Sequence, residues 1–275
     1  MTGPFRTELG GSHIDRSRTL TFVFDGASYT AHPGDTLASA LLAHGVRVVA
    51  RGPYTGRPRG VYSAGAEEPN AFVQVESGPG EPMVRATRLE VHDGLRVSSL
   101  AGRGRLLDAL DPSRYDKTYA HCDVLVVGGG TSGRAAAREA AVAGGRVIIA
   151  DERPGIALEP SEEVTVLPRT TVTGHYDHGF FVAVERRTDH LGDAAPARMA
   201  RRRLWHIRAR RVVLATGVLE RPLLFPDNDR PGIMLAGAAA RYVRRYGVLP
   251  GRRAVVFGAH DGALRAALDL LDAGV

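Results

Sequence analysis

Apolar positions fall along this chain in two kinds of pattern, and each predicts a different unit. In the first, Leu20–Phe24 is apolar and β-prone, Asp25-Gly26 is a hairpin turn pair, and Ala27–Ala31 returns as a second strand. After Pro33-Gly34, Asp35 is placed to cap a helix by accepting a bond from a free backbone N–H. Leu37, Ala38, Leu41 and Leu42 then share one face until Gly45 stops the helix. Two or three short strands follow between Val73 and Val97, with turns at Ser77-Gly78-Pro79-Gly80 and Asp93-Gly94. Hairpin, helix and strands predict a small α+β domain over residues 1–100. Residues 101–121 are rich in Gly, Arg, Asp and Pro and weakly periodic, so they read as a linker with a helical turn near 106–110.

In the second pattern the apolar runs are continuous, as in strands buried on both faces of a parallel sheet. Residues 124–127 form such a run, followed by a glycine loop and an Ala-rich helix; Val147–Ala150 and Val164–Leu167 repeat it. Residues 180–185 and 204–207 suit an antiparallel meander, and 212–215 return as a buried strand. Residues 254–257 and a helix over 262–273 then open a further strand-helix unit, within which the sequence stops. Together these predict an α/β domain over residues 122–275.

Composition adds mainly exclusions. A hydrophobic content of 44% supplies a substantial core, and no apolar run reaches the roughly 20 residues a membrane-spanning helix needs. No membrane partner is expected, and the expected location is the cytoplasm. The net charge of +6 rests almost entirely on arginine, Lys117 being the only lysine. It is scattered, and its one run, Arg201 to Arg203, falls in an expected hairpin loop; this is a solvated basic face, with no nucleic-acid partner expected. Cys122 is the only cysteine, which excludes an intrachain disulfide and any four-cysteine metal or iron–sulfur site.

The chemistry-bearing motif is Gly128, Gly130 and Gly133, a G-x-G-x-x-G between a buried strand and a helix. Gly128 permits the tight turn, Gly130 lets backbone approach a pyrophosphate, and Gly133 lets helix pack on sheet. Free N–H groups and the dipole of the helix then stabilise the anion. Asp151 closes the next strand, where a carboxylate accepts hydrogen bonds from the adenosine ribose, and Glu152 beside it is a candidate second contact. An acid there disfavours a 2′-phosphate, because two anions would be desolvated together. Thr216 and Gly217, after the strand at 212–215, suit a tight turn passing close to a bound dinucleotide.

Gly258 to Ala263 resembles a second glycine loop but has His260 where close backbone approach needs glycine. His260 and Asp261, as neighbours in a turn, point apart and make no acid-base pair. His175 and His178 decorate a loop. No catalytic residue and no metal ligand is nominated.

Longer strings carry a family resemblance: residues 11–18 (GSHIDRSR), 34–45 (GDTLASALLAHG), 57–70 (RPRGVYSAGAEEPN), 120–133 (AHCDVLVVGGGTSG), 167–177, 215–222 (ATGVLERP) and 228–235 (NDRPGIML). With these the chain resembles the α subunits of heterotetrameric sarcosine oxidase, and the related amine-oxidising subunits of proline and opine dehydrogenases. The resemblance implies a ferredoxin-like β-grasp domain without an iron–sulfur cluster, then an incomplete Rossmann-type fold of the two-dinucleotide-binding class. It implies NAD, with FAD as the alternative, at the first glycine loop, contacted by Ser132, Asp151, Glu152 and Arg153, with Val172 beside the adenine. It also implies a hetero-oligomer, in which a small amine substrate is oxidised by a flavin on or beside a partner subunit. Only a short stretch separates Asp151 from Val164, too little for a crossover helix. The alternative reading is therefore a non-catalytic assembly protein or a decayed remnant of such a subunit.

Overall fold

The computed structural model describes residues 3–108 and 110–275. The chain divides into two compact units: residues 1–112, 190–193 and 220–275 form the first, and 113–189 with 194–219 the second.

In the first unit β1 (Leu20–Phe24) and β2 (Ala27–Ala31) form the expected hairpin, with Phe22 opposite Tyr29. Helix α1 (Leu37–Ala43) follows, then the short pair β3 (Ala50–Arg51) and β4 (Pro58–Arg59). Strands β5 (Phe72–Val75), β6 (Glu81–Arg85) and β7 (Arg96–Ser99) complete a sheet of order β2-β1-β7-β5-β6. The central pair β1–β7 is parallel and the remaining pairs are antiparallel. All of α1 is buried, and Leu37 and Leu41 join Phe22 in one apolar core. Its cap is Thr36, whose hydroxyl accepts from the Ser39 N–H at 3.2 Å, and not Asp35. Asp35 is fully buried and committed elsewhere: it takes the Arg6 guanidinium, the His32 N–H and the Ser39 hydroxyl.

The second unit begins with β8 (Tyr115–Val127), far longer than the apolar run that announces it. The expected linker thus contains strand from Tyr115 onward, and Leu106 and Leu110 are exposed outside any helix, while Ala109 lies outside the described residues. After α2 (Thr131–Val142) come β9 (Val147–Ala150), β10 (Val164–Leu167), β11 (Thr170–Tyr176), β12 (Phe180–Arg186) and β13 (Arg202–Leu214). The sheet order is β10-β9-β8-β13-β12-β11, with four parallel strands followed by an antiparallel ribbon. The runs at 204–207 and 212–215 belong to the single strand β13, which pairs with β8 from Arg202–Tyr115 to Leu214–Val127. Arg202 and Arg203 therefore lie in a strand and not in a hairpin loop. Residues 151–163 join parallel β9 to β10 without a helix.

Residues 220–275 belong to the first unit and do not continue the second, contrary to a domain running from 122 to 275. Helix α3 (Ala236–Arg241) runs into a π-turn at Tyr242–Tyr246, and α4 (Asp261–Asp272) packs against α3. Tyr242 is fully buried in the core of α1 and β1, and its hydroxyl donates to the Ser63 carbonyl at 2.8 Å. Residues 254–257 form no strand: among the described residues none pairs with them, and Val255 and Phe257 are exposed.

Candidate dinucleotide site

The end of β8 feeds directly into the glycine loop. The Gly128 N–H donates to the Ala150 carbonyl of β9, and the Ala215 N–H to the Val127 carbonyl, both at 2.8 Å, so three strand ends converge here. Gly128 has φ of +109°, and a Cβ on it would collide with the Ala215 carbonyl. A Cβ on Gly133 would collide with the Gly128 carbonyl, so the first turn of α2 lies against the loop. Gly130 differs: a Cβ there would meet open space. It is the N-cap of α2 and offers no side chain, leaving the first N–H groups of the helix to whatever approaches. Thr131 and Ser132 at the helix start are exposed.

Asp151 closes β9 with its carboxylate already engaged. Its oxygens accept from the Gly129 N–H at 2.6 Å, from the Arg153 N–H at 2.9 Å, and from the Arg153 guanidinium at 2.7 Å on each oxygen. Burial pushes this carboxyl up, but the Arg153 bonds, the Gly129 N–H and the guanidinium charge together hold it below the usual carboxylate range. Asp151 is therefore an anion at neutral pH. The fork-to-carboxylate geometry is the strong, bidentate kind.

The structure ties Asp151 to the loop through the Gly129 N–H and Arg153 to Asp151, while Glu152 follows Asp151 with its carbonyl held by Arg186. Thr216 and Gly217 come with them, since the Ala215–Thr216 backbone abuts Gly128 and Gly217 has φ of +82° in open space. Val172 is placed differently: it packs into the core holding Ala150 and Leu167, although the Thr170 N–H donates to the Asp151 carbonyl at 2.8 Å. Sequence reading missed three arginines that brace residues 152–157. Arg186 donates to the Glu152 carbonyl, Arg169 to that of Pro154 and Arg134 to that of Ala157. Only the fold brings them to one loop, and no spacing in the chain signals it. His260 caps α4 by accepting the Gly262 N–H at 2.9 Å, while His175 stacks on Phe181. Among the described residues, no group of three or more His, Cys, Asp or Glu is placed to hold a metal ion. No helix of the described residues is long and apolar enough to cross a membrane.

Comparison with known proteins extends this geometry. The chain is 42% identical over 297 residues to the sarcosine oxidase alpha subunit of Corynebacterium sp. (strain U-96), a match covering 97% of this chain. The chain is a homologue of sarcosine oxidase alpha subunits. An opine oxidase subunit from Agrobacterium tumefaciens (strain Ach5) is 31% identical over 183 residues, 56% of the chain. These matches span 31% of the length of the first relative and 35% of the second, about a third of each. Among solved structures, an L-proline dehydrogenase from P. horikoshii matches with a TM-score of 0.73 at 24% identity, covering all of this chain and 54% of that one. That likeness shows the fold.

Residues 17–102 match a family described as a 2Fe-2S iron-sulfur cluster binding domain. This match corrects the expectation of a β-grasp domain from a branch without an iron–sulfur cluster, because the family is described by its cluster. The donors present do not fit a thiolate-held cluster: residues 17–102 contain no cysteine, and Cys122 lies outside the match. In the same segment the buried Glu68 carboxylate accepts four backbone N–H groups, from Tyr62, Ser63, Asn70 and Ala71.

Proposed function

We propose that this chain is the dinucleotide-binding part of a sarcosine-oxidase-like amine oxidoreductase, with NAD at the Gly128 loop and FAD as the alternative occupant. The observation that supports it is the contrast within the loop. Gly128 and Gly133 are required by close backbone contacts inside the protein, whereas Gly130 faces open space at the start of α2. A glycine kept where nothing in the protein demands one suits a backbone that a pyrophosphate approaches.

In this reading the α2 N–H groups and Ser132 hold the pyrophosphate, and Asp151 accepts from the ribose as Arg153 releases one of its oxygens. Glu152 borders the adenosine, the Thr216–Gly217 turn passes the dinucleotide, and Val172, packed in the sheet core, supports the strand behind Asp151. A flavin on or beside a partner subunit would supply the redox chemistry of amine oxidation. This chain contributes nucleotide binding and assembly.

The test is mass analysis of nucleotide released from the purified protein, with calorimetric titration of NAD and of FAD. Release or binding of either supports the reading; a protein that carries and binds neither sinks it. A second reading, a non-catalytic interaction protein, draws on the missing helix between β9 and β10, where Ile156 and Leu158 of a helix-free segment take the place of the usual crossover helix. A cooperative melt shifted upward by NAD or FAD counts against that reading; saturation at a hundredfold excess over Kd adds about 2.7 kcal/mol.

A further inference from the structure

The first halves of β8 and β13, with β12 and β11, carry a surface that the glycine loop does not use. Tyr119 stands opposite His206, Phe180 opposite Arg208, and Tyr176 opposite Phe180. Their rings form a ladder across four strands. Tyr119 meets His206 edge-on at 4.9 Å, His206 meets Phe180 edge-on at 5.5 Å, and Phe180 meets Tyr176 at 5.9 Å. The Lys117 ammonium lies over the Tyr119 ring at 6.0 Å and the Arg208 guanidinium over Phe180 at 5.1 Å. Tyr119 and Tyr176 are 66% and 58% exposed.

Strand pleating makes this face chemically one-sided. Following the register from Tyr119 and His206, no alternate position on the four strand segments is an Asp or Glu. The two carboxylates of these segments, Asp116 and Glu185, project to the other face. There Asp116 takes the Arg203 guanidinium at 2.9 and 2.7 Å, and Glu185 accepts the Trp205 indole N–H at 2.9 Å.

We propose that this face is a docking surface for a carboxylate-rich surface of a partner polypeptide. Rigid rings that hold cations in place bring large contact area and positioned charge at low entropy cost, the composition of protein–protein hot spots. Charge complementarity selects the occupant. A second copy presenting the same face would oppose cation with cation, and nucleic-acid bases need open ring faces to stack on. Here Tyr119, His206 and Phe180 meet edge-on, Tyr119 and Phe180 lie beneath their own cations, and among the described residues Tyr176 alone of these rings is tilted without a cation over it, too little for a run of stacked bases.

The test uses the full chain with fluorescent poly-L-glutamate as the acidic probe and oligo-dT as competitor. Charge reversal by Lys117→Glu with Arg208→Glu is compared with the same charge change at exposed helix positions, Arg138→Glu with Arg265→Glu. The expected result is binding weakened about tenfold or more by the first pair and less than about twofold by the second. Hydrogen exchange on the wild-type protein is expected to show probe-dependent protection in β8 and β13, a readout that needs no variant. Equal weakening by both pairs, absence of binding, protection elsewhere, or oligo-dT that polyglutamate cannot displace would each overturn the proposal.

Discussion

Adding one methyl group at Gly128 or at Gly130 separates what the glycine loop does for the fold from what it does for a ligand. In Gly128→Ala the residue must hold φ near +109°, at a cost of about 1–2 kcal/mol for an L side chain. The new Cβ also strikes the Ala215 carbonyl, which is backbone at the end of β13 and can yield only by moving the strand. Overpacking of this kind adds about 1–3 kcal/mol, so a total loss of about 2–5 kcal/mol is expected. In Gly130→Ala the backbone has φ of −71°, ordinary for alanine, and the methyl meets no atom within 4 Å. Its effect on stability is expected at about 1 kcal/mol or less, the cost of alanine in place of glycine at an N-cap. Dinucleotide binding should show the reverse sensitivity at Gly130, because the methyl occupies the line of approach to the α2 N–H groups. Denaturant unfolding followed by circular dichroism measures the first quantity, and calorimetry with NAD the second. Equal destabilisation by the two substitutions would refute the structural reasoning, and unimpaired NAD binding by a stable Gly130→Ala protein would refute the ligand reasoning.

Three other groups carry expected outcomes of their own. Asp151 is held below the usual carboxylate range, so its stabilisation is present above about pH 4, the unfolded value, and lost as pH falls through the lower folded value. Asp151→Asn should flatten acid-induced stability loss in that window, as read by unfolding at stepped pH; an unchanged profile contradicts the pairing with Arg153. Glu68→Gln, which replaces an anion accepting four N–H groups with a neutral amide, should cost about 2–3 kcal/mol in denaturant unfolding. Burial pushes the Cys122 thiol up to about 11, so it should resist a thiol reagent at pH 8 until the protein unfolds. Rapid reaction of the native protein would show that β8 opens.

Local chemistry made part of this protein legible without a structure. The β1–β2 hairpin follows from apolar strands around Asp25-Gly26, and α2 follows from a glycine loop before an Ala-rich run, because turn geometry and helix start are set by neighbours in sequence. The glycine spacing named the candidate site for the same reason. The remainder was decided by pairing between distant residues. The polar first half of β8 is strand because β13 lies beside it, with Asp116 meeting Arg203; taken alone, those residues look like a linker. Residues 220–275 join the first unit because Tyr242 fills a space between α1 and β1, a fit that no periodicity encodes. Residues 254–257 have the composition of a strand but no partner strand among the described residues, and composition alone cannot supply the hydrogen bonds a strand requires. The sequence by itself determined the turns and the loop glycines, all fixed within a few residues. Only the tertiary structure decided which strands are long, which carboxylates are already paired, and which aromatic residues share one face.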